Sequence, residues 1–147
     1  MGLGSCHYSG SHFKIAKKAV RIISKSPYRA HCDPLFHQLH ILKILDICYL
    51  QTTIFMFNFL HSPEMQKLFE FYSRFKFKIV NKNYYTRSES SNFVIPFYRT
   101  KIREVAIACI GPKTWNLLSN ELKSCETVSK FKNLYKEFLL NKYLPSA

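Results

Sequence analysis

The placement of the prolines constrains the fold of this chain more than any other feature. Asp33-Pro34 and Ser62-Pro63 each put a side-chain oxygen that can cap a helix ahead of a residue whose fixed φ and missing N–H suit a first helical turn. Gly111-Pro112 puts a turn residue ahead of a third such start, and Pro27 stops any helix that runs up to Ser26. A 147-residue chain punctuated this way builds a set of short helices and fits one compact domain.

Apolar periodicity fills in the segments. From Phe13 to Lys25 the pattern is helical: at 100° per residue Lys14, Lys17, Lys18, Arg21 and Lys25 share an arc of about 100°. Ile15, Ala16, Ala19, Val20, Ile22 and Ile23 occupy the opposite side. Asp33 opens a short helix to about His40, and Asp46 caps a longer one to about Leu60. Ser62-Pro63-Glu64 leads into a helix ending near Tyr72, and Pro112 starts a short one through Trp115 to Leu118. A last helix begins near Thr127, with Val128, Phe131, Leu134, Tyr135, Phe138 and Leu139 as its seam.

Asn92–Pro96 and Val105–Ala108 read as two short strands, Pro96 keeping the first at an edge. The expected architecture is therefore mainly α: a small helical domain of about five helices with one short β-hairpin near 93–109. It occupies residues 13–143, between a disordered segment 1–12 and a tail 144–147. Phe69, Phe93, Phe97 and Trp115 are expected inside, since a small helical domain needs bulky filler. Tyr84, Tyr85 and Tyr98 are expected at the surface.

Charge narrows the partners. Lys and Arg number 22 against 9 Asp and Glu, a formal charge of +13. Residues 76–103 hold seven cations (Lys76, Lys78, Lys82, Arg87, Arg99, Lys101 and Arg103) and one acid, Glu89, in a stretch rich in aromatics. Cations grip phosphates by releasing counterions, and tyrosines such as Tyr84 and Tyr85 stack on unpaired bases. The Lys14–Lys25 stripe and the 76–103 segment are thus the candidate binding residues for RNA or DNA, without sequence specificity.

Five cysteines without a CxxC pair, and no Asn-x-Ser/Thr sequon, fit a nuclear or cytoplasmic protein with free thiols rather than a secreted one. The stretch Ile41–Leu60 has 14 apolar residues in 20, but Lys43, Asp46, Gln51 and Asn58 interrupt it. It reads as a buried helix, not a membrane span.

Catalytic chemistry is not expected. A two-metal centre needs clustered carboxylates, and the only aspartates, Asp33 and Asp46, are better used as helix caps. No two acidic residues are adjacent, and no GxxxxGK[ST], GxSxG or HExxH pattern occurs. Cys32, His37 and His40, with His31, form half of a zinc site and lack the second ligand pair. No metal or cofactor is expected.

One set of blocks carries a family resemblance. It comprises Ala19-Val-Arg-Ile-Ile-Ser24, Tyr28-Arg-Ala-His31, Asp33-Pro-Leu-Phe36, Leu39-His-Ile-Leu-Lys43 with Asp46-Ile47, and Tyr84-Tyr-Thr-Arg87. It continues with Asn92-Phe-Val-Ile-Pro96, Arg99-Thr100, Gly111-Pro-Lys-Thr-Trp-Asn116, Phe131-Lys132 and Leu139-Leu140. Their order and spacing, over about residues 13–143, resemble the C-terminal region of jockey-like and RTE-like non-LTR (LINE-type) retrotransposon reverse transcriptases, beyond the palm and thumb.

The resemblance implies a non-catalytic, nucleic-acid-binding fragment of an RNA-directed DNA polymerase polyprotein, from a truncated copy. Its partners would be nucleic acid and the polymerase domains missing here. Two alternatives stay open: a transposon remnant without biochemical function, and a peripheral membrane protein that lays the basic helix 14–25 on anionic lipid.

Overall fold

The structure, a computed structural model, describes residues 10–71 and 92–144. Eight helices run through them: α1 (Gly10–Ile23), α2 (Cys32–Gln38), α3 (Ile44–His61), α4 (Pro63–Phe71), α5 (Lys101–Glu104), α6 (Ile107–Asn116), α7 (Asn120–Lys123) and α8 (Val128–Asn141). The chain is mainly helical, as expected; α5 and α7 are single turns of four residues. Two compact units divide it, Met1–Leu50 with Asn133–Ala147, and Gln51–Lys132.

In the first unit α1 packs on α2. Val20, Cys32, Phe36, Leu42, Leu50, Tyr135, Leu139, Leu140 and Tyr143 are its buried apolar residues. Phe36 meets Tyr143 edge-on at 6.4 Å, a favoured aromatic geometry. The Tyr143 hydroxyl donates to the Asp46 carboxylate and accepts from the Lys43 backbone N–H at 3.0 Å. Burial, then that carboxylate, pushes the Tyr143 hydroxyl well above its ordinary range.

Neither aspartate caps its helix as expected. His31 stands at the N-cap of α2 without a side-chain bond, and Asp33, in the first turn, reaches the Lys43 ammonium at 2.9 Å. Asp46 sits in the first turn of α3, past the cap position, where the helix dipole favours its charge. Ser62 does cap α4: its Oγ accepts from the Met65 N–H at 3.4 Å, with Pro63 next in line.

In the second unit the core is aromatic. Phe57, Phe93, Trp115 and Phe131 are each at most 1% exposed. Phe57 stacks on Phe131 at 4.8 Å, and Trp115 lies 6.1 Å from Phe131 and 6.3 Å from Phe93. On α8 itself Phe131, Tyr135, Leu139 and Leu140 are buried, while Leu134 and Phe138 of the expected seam are about half exposed.

The hairpin expected near 93–109 is not present. Val105 ends α5 and Ile107–Ala108 begin α6. Thr100 makes the difference, since its hydroxyl accepts from the Arg103 N–H and turns the chain helical. The Asn92–Pro96 segment is held by a side chain. The Asn116 amide accepts from the Phe93 N–H at 2.9 Å and donates to the Phe93 carbonyl at 2.8 Å.

Gly111-Pro112 is likewise not a turn but the middle of α6. A Cβ on Gly111 would stand 2.7 Å from Met56 Sδ, so any larger residue here would have to push the Met56 side chain aside. Burial of Cys109, Gly111, Pro112, Thr114 and Trp115 around most of the helix outweighs the hydrogen bond lost at Pro112. Phe93 and Trp115 are inside as expected, whereas Phe97 is 82% exposed. Phe69 falls where side chains lie outside the described residues. All buried side-chain nitrogens and oxygens of the described residues have hydrogen-bond partners.

Candidate nucleic-acid interface

Helix α1 presents three faces rather than two. Val20, Ala16 and Phe13 turn inward, and the Lys17 carbonyl accepts from the buried Cys32 thiol at 3.9 Å. Next to them Ile15, Ala19, Ile22 and Ile23 form an exposed apolar row; the three isoleucines are 60–67% accessible. The third face is basic. Lys14 and Lys18 are exposed, Arg21 is half-buried, and Lys25 follows just after the helix. Lys17 lies off this face, with Nζ 5.6 Å from the Phe13 ring centre.

The stripe has no counter-charge close to it in sequence. No acidic residue precedes Asp33 in the chain. Lys43 pairs with Asp33 and Lys113 with Glu104, both away from α1. A row of cations without counter-charge creates a positive field that attracts polyanions.

The end of α1 is shaped by a residue in an uncommon backbone region. Lys25 has φ 50°, and the chain closes around it: Ser26 N–H bonds to Arg21 O at 3.0 Å and Lys25 N–H to Ile22 O at 3.1 Å. This pair of bonds is the Schellman arrangement, usually built on glycine. Ser24 adds its own N–H and its hydroxyl to Val20 O. The carbonyls that would repel an anion at this helix end are thus satisfied from within.

A turn follows. The Ala30 N–H bonds to Pro27 O at 2.9 Å, which leaves Tyr28 and Arg29 at the tip, and Arg21 Nε donates to Ala30 O at 3.1 Å, bracing the turn against α1. Between helix and turn lies a groove of about 390 Å³ lined by Lys18, Arg21, Ile22, Lys25, Ser26 and Tyr28. Tyr28 is 82% exposed, with the Arg21 guanidinium 5.8 Å from its ring centre. Sequence periodicity passes over Tyr28, because a lone aromatic in a turn has no period.

The second candidate patch is of mixed sign. Arg99, Lys101 and Arg103 are exposed on and before α5, but Glu104 shares that helix. Tyr98, expected at the surface, is half-buried: its hydroxyl donates to Glu104 Oε1 at 3.1 Å and accepts from the Lys113 ammonium. Hydrogen bonds from Lys113 and then Tyr98 hold the Glu104 carboxyl below its usual range, while the Tyr98 hydroxyl, then Glu104, raises Lys113. Lys76, Lys78, Lys82, Tyr84, Tyr85 and Arg87 lie outside the described residues.

The half zinc pattern does not converge. The Cys32 thiol is buried toward the Lys17 and Ala30 carbonyls, and the His37 and His40 rings are 6.1 Å apart. Among the described residues no group of three or more His, Cys, Asp or Glu is placed to hold a metal ion, and the four described cysteines are free thiols. Within the same residues no helix is long and apolar enough to cross a membrane. No protein-family model, curated protein or solved structure matches the chain.

Proposed function

We propose that this chain is a non-catalytic nucleic-acid-binding module of the kind found at the C-terminal end of non-LTR retrotransposon reverse transcriptases. The observation that carries the binding is the α1 stripe of Lys14, Lys18, Arg21 and Lys25, which faces solvent with no acidic neighbour in the first 32 residues. Asp33 and Asp46 are engaged by Lys43 and Tyr143, which favours a structural use of both over metal chemistry. Two of the resembling blocks also meet, Asn116 of one clasping Phe93 of the other, in line with blocks that serve packing.

Titration of a labelled oligonucleotide tests the reading. With about four phosphate contacts, affinity for a single strand falls roughly 50-fold between about 50 and 200 mM salt. Binding that ignores salt, or no binding at all, overturns it.

The exposed row Ile15, Ala19, Ile22 and Ile23 beside these cations supports a second reading, in which α1 lies on an anionic membrane surface. Flotation with phosphatidylserine vesicles separates the two.

A further inference from the structure

We propose that the groove between α1 and the Pro27–Ala30 turn takes one unpaired base with its flanking phosphates, which makes the interface selective for single-stranded nucleic acid. This rests on the nucleic-acid reading above and names the form of nucleic acid recognised.

Four features of the groove carry it. Its volume, about 390 Å³, lies within the range of roughly 300–1,000 Å³ typical of small-ligand sites. Its walls pair opposite requirements: Tyr28 and Ile22 offer apolar surface to a base, while Lys18, Arg21 and Lys25 offer cations to phosphate. No acidic residue lines it. The turn that carries the aromatic wall is also braced, because the Ala30–Pro27 bond closes it and Arg21 Nε ties it to the helix.

A tyrosine so exposed adds little to the core, yet the turn that carries it is braced against α1. A base can stack on the open ring as bases stack on aromatic platforms in single-strand binding proteins. Arg21 spends one N–H on Ala30 and keeps its remaining guanidinium donors for a phosphate. A duplex presents its bases already stacked and cannot insert one without unpairing it. Duplex therefore engages the cations but not the ring.

The test uses the full chain, a single-stranded oligonucleotide carrying 2-aminopurine, and a duplex of equal length, all at one salt concentration. The expected result is tighter binding of the single strand with 2-aminopurine quenching. Tyr28→Ala weakens single-strand binding roughly tenfold, removes the quenching and leaves duplex binding and the salt slope unchanged, whereas Tyr28→Phe retains wild-type behaviour. Thermal unfolding of both variants matches wild type, since the ring is 82% exposed.

Salt-dependent binding in which Tyr28→Ala is indistinguishable from wild type overturns the base subsite and leaves the broader reading standing. Absence of binding to either nucleic acid overturns both. Preference for phosphatidylserine vesicles over either oligonucleotide, abolished by Ile22→Ser, also overturns both and assigns the face to lipid.

Discussion

Helix α1 separates cations from isoleucines around its circumference, the pattern of a helix that buries one face. Much of that apolar face nevertheless stays in solvent, with Ile15, Ile22 and Ile23 at least 60% exposed. Helix α3 shows little such separation, being apolar nearly all round, and it buries Leu50, Thr53, Met56 and Phe57 to 5% exposure or less. The contrast teaches that amphipathic patterning identifies an element while the bulk of its side chains decides how deeply it is held. Around α3 the second unit supplies Phe93, Trp115 and Phe131, large enough to enclose Phe57. In α1 the inward positions are Phe13, Ala16 and Val20, and two of those three are small.

The contrast can be broken at either end. Its largest expression is Trp115→Ala, which removes the ring at the centre of the aromatic core. It should destabilise by about 3–5 kcal/mol in denaturant unfolding. A loss under about 1 kcal/mol would show that this core is not where stability resides.

Next comes an alkaline limb. Burial, then Asp46, pushes the Tyr135 hydroxyl up to about 12, against about 10 in an unfolded chain. Below pH 10 neither state ionises and the contribution is intact. Between about 10 and 12 only the unfolded state loses its proton, so stability falls by about 1.4 kcal/mol per pH unit for this group. Urea midpoints measured over that window should fall less steeply in Tyr135→Phe than in wild type. Equal slopes would remove Tyr135 as the source.

A smaller effect of opposite sign is expected at His40. Like Lys25 it ends a helix with positive φ, 51°, with the His40 and Ile41 N–H groups bonded to His37 and Phe36 carbonyls. Glycine adopts that conformation without Cβ crowding, so His40→Gly should stabilise by about 1 kcal/mol, read as a raised thermal midpoint. The smallest effect belongs to α1: Ile22→Ser should change stability by no more than about 0.5 kcal/mol. A loss above about 2 kcal/mol would mean that the apolar row is covered in solution, and the comparison would fail.

Legibility in the sequence followed the same divide. Features coded within a few neighbouring residues could be read: the α4 start at Ser62-Pro63, the extent of α3 and α8, and the shared face of Lys14, Lys18 and Arg21 on α1, though not the place of Lys17. Features that depend on distant partners could not. The Thr100 cap that opens α5 lies within its own turn, but the Asn116 clasp on Phe93 joins residues 23 apart. Gly111-Pro112 looks like a turn because Met56, whose side chain packs closely against the glycine, is far away in the chain. The groove escaped for a related reason. Its cations were in view, and only folding the Pro27 turn back onto Arg21 put Tyr28 beside them.

The Asn116 clasp has a consequence for solubility. Val94, Ile95 and Phe97 form an extended, largely exposed apolar run, the kind of edge that recruits strands from other molecules. In an extended chain the backbone groups of alternate residues face opposite sides. On one side Phe93 already has both its groups occupied by Asn116; on the other, Pro96 has no N–H to offer. Each side of the run is therefore interrupted before a cross-chain ladder can lengthen. Asn116→Ala would reopen one of them, and self-association on concentration would be its signature.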